Sequence, residues 1–407
     1  MPDLPPLRAP AVKAARKLGP SRLEHVYLDY HASTPCDSRA VEAMLPFFIV
    51  TFANPSSSIH AEGRTAAEAV ESARFNVAQT IGAAAGEIVF TSGATESNNV
   101  AIQGAVRAAA GGRQKILALA IEHKSVLDTC RWLAKHGYEF ATIPVTADGV
   151  VELGALVDLV DDRTILVSVQ AANNEIGTIQ PIREIAQIVH RSGALFHCDA
   201  AQALGRIPMD AHLWGVDFLS LSGHKCYGPK GVGALYVKGG VQSAPLVPLV
   251  FGGGQECGLR SGTLNVPGIV GFGKACEIAR EEMPAESRRI ERLRDWFEQL
   301  VGEQVPDVRR NGALSRRLPG NSSLRFERVD AEALIANLPE IALSTGSACT
   351  SGALEPSHVL TAVGLSRDQA YNTIRVGIGR FTMEQELDHA AVRIGQVVER
   401  IRSLQQS

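Results

Sequence analysis

The chain has 407 residues, 45% hydrophobic and 20% charged, with a formal net charge of −3. That length suits two packed domains with sizeable cores, and no run of Lys or Arg asks for a nucleic acid or a membrane surface. The longest apolar stretches, about 8–10 residues, fall well short of the roughly 20 needed to cross a bilayer.

Residues 1–25 are Pro-rich and basic at Arg8, Lys13, Arg16 and Lys17, without the apolar core of a secretion signal. They read as a mobile tail, with an organellar targeting peptide as the alternative. Seven Cys are scattered along the chain, at Cys36, Cys130, Cys198, Cys226, Cys257, Cys276 and Cys349. The odd count and the lack of any C-x-x-C pair argue against a disulfide framework and fit a reducing cytoplasm.

From Val26 to Ala279 short apolar runs alternate with helical stretches. Glu87-Ile-Val-Phe-Thr91, Lys115-Ile-Leu-Ala-Leu119, Thr164-Ile-Leu-Val-Ser-Val169 and Ala194-Leu-Phe-His197 read as strands, and 65–81 and 182–190 as helices. This alternation predicts a large α/β domain over 26–279, a mostly parallel sheet covered on both faces, with ligands at the C-terminal ends of its strands. Near Ala279 the pattern changes. Arg288, Glu291, Arg292, Arg294 and Asp295 interleave with Ile290, Leu293, Phe297 and Leu300, which predicts an amphipathic helix starting after Pro284. A strand-like run at Asn321–Phe326 and a last helix from about Met383 to Leu404 complete a smaller α+β domain over 280–407.

Three segments of the large domain carry chemistry. Phe90-Thr-Ser-Gly-Ala-Thr-Glu-Ser-Asn-Asn99 runs from a strand through a small, hydroxyl-rich turn into a helix. Backbone N–H groups at such a helix start suit a phosphate, although an ordinary capped helix would look much the same. His197-Cys-Asp-Ala-Ala-Gln202 ends a buried strand with a carboxylate, Asp199. A buried carboxylate needs a cationic or hydrogen-bonding partner. A protonated pyridine nitrogen is one, and a structural ion pair is the alternative. Ser220-Leu-Ser-Gly-His-Lys-Cys-Tyr-Gly-Pro-Lys-Gly231 places Lys225 among small and hydroxyl residues. Desolvation there would free its amine to form an imine, whereas most Lys side chains are simply solvated. The three together, in this order, point to one cofactor site.

With Asn173-Asn-Glu-Ile-Gly177 and Arg260-Ser-Gly-Thr263, these segments resemble the NifS/IscS-type cysteine desulfurases of the class-V aminotransferase family, over nearly the whole chain from Val26 to Leu404. The resemblance implies a fold-type I pyridoxal-phosphate-dependent transferase that works as a homodimer. It implies that Lys225 holds pyridoxal 5'-phosphate as a Schiff base, Asp199 faces the ring nitrogen and Gln202 the ring hydroxyl. Ala94, Thr95, Ser222 and His224 would hold the phosphate, and Thr263 would reach the phosphate of the other subunit. His123, in Glu122-His-Lys-Ser125, would stack on the ring and transfer protons. Asn174, beside the cofactor, and Arg375, in Thr373-Ile-Arg-Val-Gly377, would bind the substrate carboxylate, which an Arg fork matches in two-point contact.

Leu343-Ser-Thr-Gly-Ser-Ala-Cys-Thr-Ser-Gly-Ala-Leu-Glu-Pro356 is mostly Ser, Thr, Gly and Ala around one thiol, Cys349. Such a segment has little to bury and reads as a mobile loop with an exposed Cys, either a tolerated surface residue or a nucleophile. Its similarity to the family's long-loop group favours the nucleophile. The resemblance then implies a desulfurase that converts L-cysteine to L-alanine, leaves a persulfide on Cys349, and passes the sulfur to acceptor proteins for iron–sulfur cluster assembly or tRNA thiolation. Cys198 and Cys226 read as small buried hydrophobes. No resident metal, direct nucleic-acid contact or membrane association is expected. A selenocysteine lyase, an aminotransferase and a non-catalytic sulfur-relay scaffold are the rival readings. Cys349 argues against the aminotransferase, and the Lys225, Asp199 and His123 set argues against the scaffold.

Overall fold

The computed structural model describes residues 25–109, 112–345 and 355–405. The tail expected over 1–25 lies outside them except for its last residue. In chain order the strands are β1 (Val26–Tyr27), β2 (Ile88–Thr91), β3 (Lys115–Leu119), β4 (Glu139–Ile143), β5 (Thr164–Ser168), β6 (Leu195–Asp199), β7 (Phe218–Ser222), β8 (Gly233–Val237), β9 (Arg309–Arg310), β10 (Asn321–Arg325), β11 (Ile341–Ala342) and β12 (Thr373–Gly377). Seven form the main sheet, in the order β2-β8-β7-β6-β5-β3-β4. Neighbours from β7 across to β4 run parallel, and β8 is antiparallel to both β2 and β7.

Both faces of this sheet are covered, which explains the unbroken apolar runs. β3 sends Leu117 and Leu119 into one buried cluster and Ile116 and Ala118 into another. β2 divides Ile88 and Phe90 from Val89 in the same way. A strand without a solvent side needs apolar residues at every position, so its sequence does not alternate.

A second, smaller sheet orders β12-β10-β9, all antiparallel, and β1 pairs in parallel with β11. Phe297, Phe326, Ile374 and Ile394 anchor the cluster beneath them. Val26 and Leu28 belong to this cluster too. The chain's opening strand, placed with the large domain on sequence grounds, therefore packs with the later residues; a two-residue strand carries too little pattern to name its partner.

One helix, Val266–Gln304, connects the two cores. Ile269, Phe272, Cys276 and Ala279 pack into the first, and Ile290, Leu293, Phe297 and Val301 into the second. The core contacts change hands just after Ala279, but the backbone does not break there. The sequence reading started this helix after Pro284, whereas Pro284 lies inside it. Pro284 and Arg280 are both exposed, so the carbonyl that the proline ring leaves unpaired can be solvated, which lowers the usual penalty. Among the described residues no helix is long and apolar enough to cross a membrane.

Candidate active site

The C-terminal ends of β2, β6 and β7 open onto one cavity of about 820 Å3. From β2 the chain turns at Gly93 into the helix Ala94–Ala108. Gly93 has φ 150 and ψ 177, a conformation that side chains disfavour, and gives the helix no side-chain cap. The N–H of Ser92 is taken by Glu96 Oε2 at 2.7 Å, and that of Ser97 by the Gly93 carbonyl at 3.1 Å. The first-turn amides between them have no partner within the helix, as helix geometry requires. Ala94, Thr95, Ser222 and His224 line the cavity around this end, which makes it a corner suited to an anion. Gly233 of β8 keeps it tight: a Cβ there would stand 2.6 Å from Gly93 Cα.

Lys225 ends a short 3-10 turn that follows β7. Its Nζ donates to the carbonyls of His31 and Ala32 at 2.6 and 2.7 Å. Two backbone oxygens thus hold the amine at the cavity wall. His224 beside it contacts Ser33 Oγ through Nδ1 at 3.2 Å. Burial, and then the cations Lys225, Lys230 and Arg206, push His224 down to about 4.

Asp199 closes β6 and is buried. Its Oδ2 accepts from Asn98 Nδ2 at 2.7 Å and its Oδ1 from the Ala201 N–H at 2.9 Å. Asn98 Nδ2 also donates to Ser125 Oγ at 2.8 Å. Ser125 in turn contacts His123, the N-cap of the helix Lys124–Ala134: its Oγ lies 2.8 Å from Nδ1, and its N–H donates to Nδ1 at 3.1 Å. Accepting from the backbone leaves Nε2 to carry the proton of the neutral ring. Burial holds His123 below the ordinary imidazole range; Asp199 draws it back up, and Lys225 and His358 push it down.

Arg375 reaches the cavity from β12. Its guanidinium bonds Asp29 Oδ1 at 2.7 Å and the Asn174 carbonyl at 3.2 Å. Gln202 receives Arg206 at Oε1 (2.5 Å), where His31 Nδ1 also lies at 3.0 Å, and donates from Nε2 to the His31 carbonyl at 3.0 Å. Glu122 is buried and accepts from the Gln170 N–H; burial, and then nearby Asp199, raise its carboxyl well above the usual range.

Ala94, Thr95, His123, Asn174, Asp199, Gln202, Ser222, His224, Lys225 and Arg375 therefore share one cavity. Thr263 is exposed and does not line it. Cys349 lies outside the described residues, but its flanks are placed. Ser344 exchanges backbone hydrogen bonds with Arg375, and Glu355 and Pro356 line the cavity. Cys198 and Cys226 are buried, as their sequence setting suggested. Asn98, Ser125, His31 and Asp29 were missed. For Asn98 a signal existed: it lies four residues after Ala94, on the same helix face. No group of three His, Cys, Asp or Glu among the described residues could hold a metal.

A family model described as aminotransferase class-V matches residues 26–389. The chain belongs to the class-V aminotransferases. Within the family its curated relatives include the cysteine desulfurase IscS of Rickettsia bellii (strain OSU 85-389), 46% identical over 379 residues that cover 93% of this chain and 92% of that protein. The same enzyme of Rickettsia typhi (strain ATCC VR-144 / Wilmington) is 45% identical over the same length. Among solved structures, a NifS-like protein superposes with a TM-score of 0.86 at 38% identity, covering 92% of this chain and 99% of that one. A structure described as SspA in complex with cysteine superposes at 0.78, also 38% identical, covering 88% of this chain and all of that one. This class-V chain therefore sits in the IscS/NifS branch of the family.

Proposed function

We propose that the chain is a cysteine desulfurase: it takes L-cysteine, releases L-alanine and leaves the sulfur as a persulfide on Cys349, from which acceptor proteins remove it. The observation that carries this reading is Lys225, whose Nζ is held by two carbonyls in a cavity that also contains a buried carboxylate and an uncapped helix start. Those three features fit pyridoxal 5'-phosphate. The amine suits its aldehyde, Asp199 its protonated ring nitrogen, and the amides of Ala94 and Thr95 with Ser222 and His224 its phosphate. Gln202 keeps a second Nε2 hydrogen for the ring hydroxyl. Bound there, the cofactor supplies an electron sink for the pair left when the Cα proton of an amino acid departs.

The chain's own groups do the rest. Arg375, held by Asp29 and the Asn174 carbonyl, receives the substrate carboxylate together with the Asn174 side chain. The Lys225 amine would take the Cα proton of the bound substrate at Nζ. His123, neutral with its hydrogen at Nε2, can pass a proton into the same space. The Cys349 thiolate attacks the substrate sulfur. The C–S bond breaks, an S–S bond forms, and the released carbon becomes the methyl of alanine, so cysteine plus thiol becomes alanine plus persulfide. Ser344, paired through its backbone with the cavity residue Arg375, and Glu355, which lines the cavity, flank the Cys349 segment, which supports its access.

We assign the active form to a homodimer in a reducing, cytoplasmic setting. Phe48, Ile49, Phe52, Ile59 and Phe251 are exposed large apolar side chains, with Phe52 75% and Phe251 77% exposed, and four of them lie within one short segment, which supports a partner surface there. Thr263, exposed in one protomer, would reach the phosphate in the other. The six described Cys are free thiols. Iron–sulfur cluster assembly or tRNA thiolation would consume the sulfur.

Two variants test the reading. Cys349→Ala should keep the yellow cofactor absorbance and form no persulfide, and normal desulfuration by it would refute the assignment. Lys225→Ala should lose the covalent, borohydride-reducible attachment; an unchanged spectrum would move the anchor elsewhere.

A further inference from the structure

We infer that Asn98 is a positioning residue that, through the Ser125 hydroxyl, holds His123 in its neutral form with the proton on Nε2, while the same amide holds the Asp199 carboxylate. This rests on Asp199 and His123 serving the proposed site. Asn98 is completely buried. Its Nδ2 has two hydrogens, and both are used: one on Asp199 Oδ2 at 2.7 Å and one on Ser125 Oγ at 2.8 Å.

An amide nitrogen cannot accept. Ser125 Oγ therefore accepts from Asn98, and the hydroxyl hydrogen is left to point at His123 Nδ1, 2.8 Å away. The Ser125 N–H reaches the same nitrogen at 3.1 Å. Two donors converge on Nδ1, so the ring proton sits on Nε2. Asn98 fixes the direction of the Ser125 hydroxyl, and so adds a second donor on Nδ1 to the one that the Ser125 backbone N–H supplies by itself. Thr129 Oγ1 donates to the Ser125 carbonyl at 2.8 Å and ties the serine to its own helix, which limits the relay to the hydroxyl rotor.

An Asp at position 98 would have nearly the same shape and the opposite direction. Its oxygen would accept from Ser125, turn the hydroxyl away from His123, and present the Oγ lone pair to Nδ1. That arrangement leaves Nδ1 with one donor, the Ser125 N–H, in place of two, so the neutral ring is held less firmly and the imidazolium of His123 becomes easier to form. The groups that also face His123 are Asp199 at the end of β6, Lys225 after β7, His358 on the helix His358–Ala362, and Asp128 on its own helix. Lys225, His358 and Asp128 keep their surroundings in this comparison, whereas Asp199 exchanges the Asn98 donor for a second carboxyl group with which it must share a proton.

The experiment uses full-length, cofactor-free protein with 15N-labelled histidine. Long-range 1H–15N spectra read the tautomer and the titration midpoint of His123, assigned by the loss of its signals in His123→Gln. The natural protein should show the Nε2–H tautomer. N98D should raise the midpoint by about half to one pH unit, the effect of losing one hydrogen-bond donor to the neutral ring. S125A should raise it as well. The double variant N98D/S125A decides between relay and charge. If Asn98 acts through the serine, N98D adds less than half of its own shift in the S125A background. An undiminished shift there would mean a through-space charge effect and overturn the relay. An Nδ1–H tautomer in the natural protein, or no shift with N98D, would overturn it as well. These signals do not require desulfuration, so a wrong functional assignment and a wrong relay fail separately.

Discussion

His197 should make the fold acid-sensitive in a window set by its own burial. It lies at the centre of the main sheet, fully buried, with Nδ1 2.8 Å from Ser168 Oγ on β5 and Nε2 3.0 Å from Ser220 Oγ on β7. Burial pushes it from 6.5 down to about 4, against the pull of Asp199. In the unfolded chain it takes a proton near its ordinary value, so through this window the unfolded state binds more protons. The stability is present in full above about 6.5 and is lost as pH falls towards 4. The displacement corresponds to about 3 kcal/mol, a large fraction of the roughly 5–15 kcal/mol that holds a domain folded. His197→Gln keeps a donor and an acceptor for the two serines but does not titrate. It should cost about 1 kcal/mol near neutral pH and be the more stable of the two chains near pH 4.5. Urea unfolding of both cofactor-free proteins, followed by tryptophan fluorescence from about pH 7 to 4.5, gives the difference directly, because every other titrating group is common to both. A difference that does not change with pH would refute the argument.

Arg375→Lys replaces a planar fork with a point charge, and should raise KM for cysteine about 10- to 100-fold with a smaller change in kcat; an unchanged KM in steady-state assays would remove Arg375 from carboxylate binding. Gly233→Ala should weaken retention of the cofactor and lower the melting temperature, since its Cβ would press on the Leu221 carbonyl and on Gly93 Cα, both backbone atoms that cannot step aside. Equilibrium dialysis and calorimetry measure the two effects. Phe52→Glu combined with Phe251→Glu should shift the protein from dimer to monomer in sedimentation, and a dimer of undiminished affinity would place the interface elsewhere.

The main sheet was legible because its strands are buried on both faces. Lys115–Leu119 and Thr164–Ser168 carry consecutive apolar residues and are buried at every position, and a covered parallel sheet uses such runs in alternation with helices. Ten of the expected site residues meet in one cavity, and most of them, such as Ala94, His123, Asp199 and Ser222, lie at strand ends or helix starts, which local pattern marks. What stayed hidden depends on contacts far apart in sequence. Asn98 bonds Asp199 across 101 positions, and Arg375 bonds Asp29 across 346. Neither partner alters the propensity or periodicity around the other. Pro284 misled for the opposite reason: its local signal is strong, but its exposure on the helix removes most of the cost that makes proline a helix breaker.

The segment from Leu28 to Ala32 links the two cores more directly than any pattern in it suggests. Its carbonyls at His31 and Ala32 hold the Lys225 amine, and its Asp29 carboxylate holds the Arg375 guanidinium. The same stretch is stitched to β12, with the Gly377 N–H donating to the Leu28 carbonyl at 2.7 Å and the Tyr30 N–H to the Gly377 carbonyl at 3.3 Å. The group proposed to anchor the cofactor and the group proposed to bind the substrate carboxylate are therefore positioned against one short piece of backbone. A shift of β12 relative to the main sheet must move that backbone, and so must change the distance between the two groups. Their spacing is what lets an amino acid present its Cα to Lys225 while its carboxylate is held, so the packing of Val26 and Leu28 in the second core is a condition of the chemistry as well as of the fold.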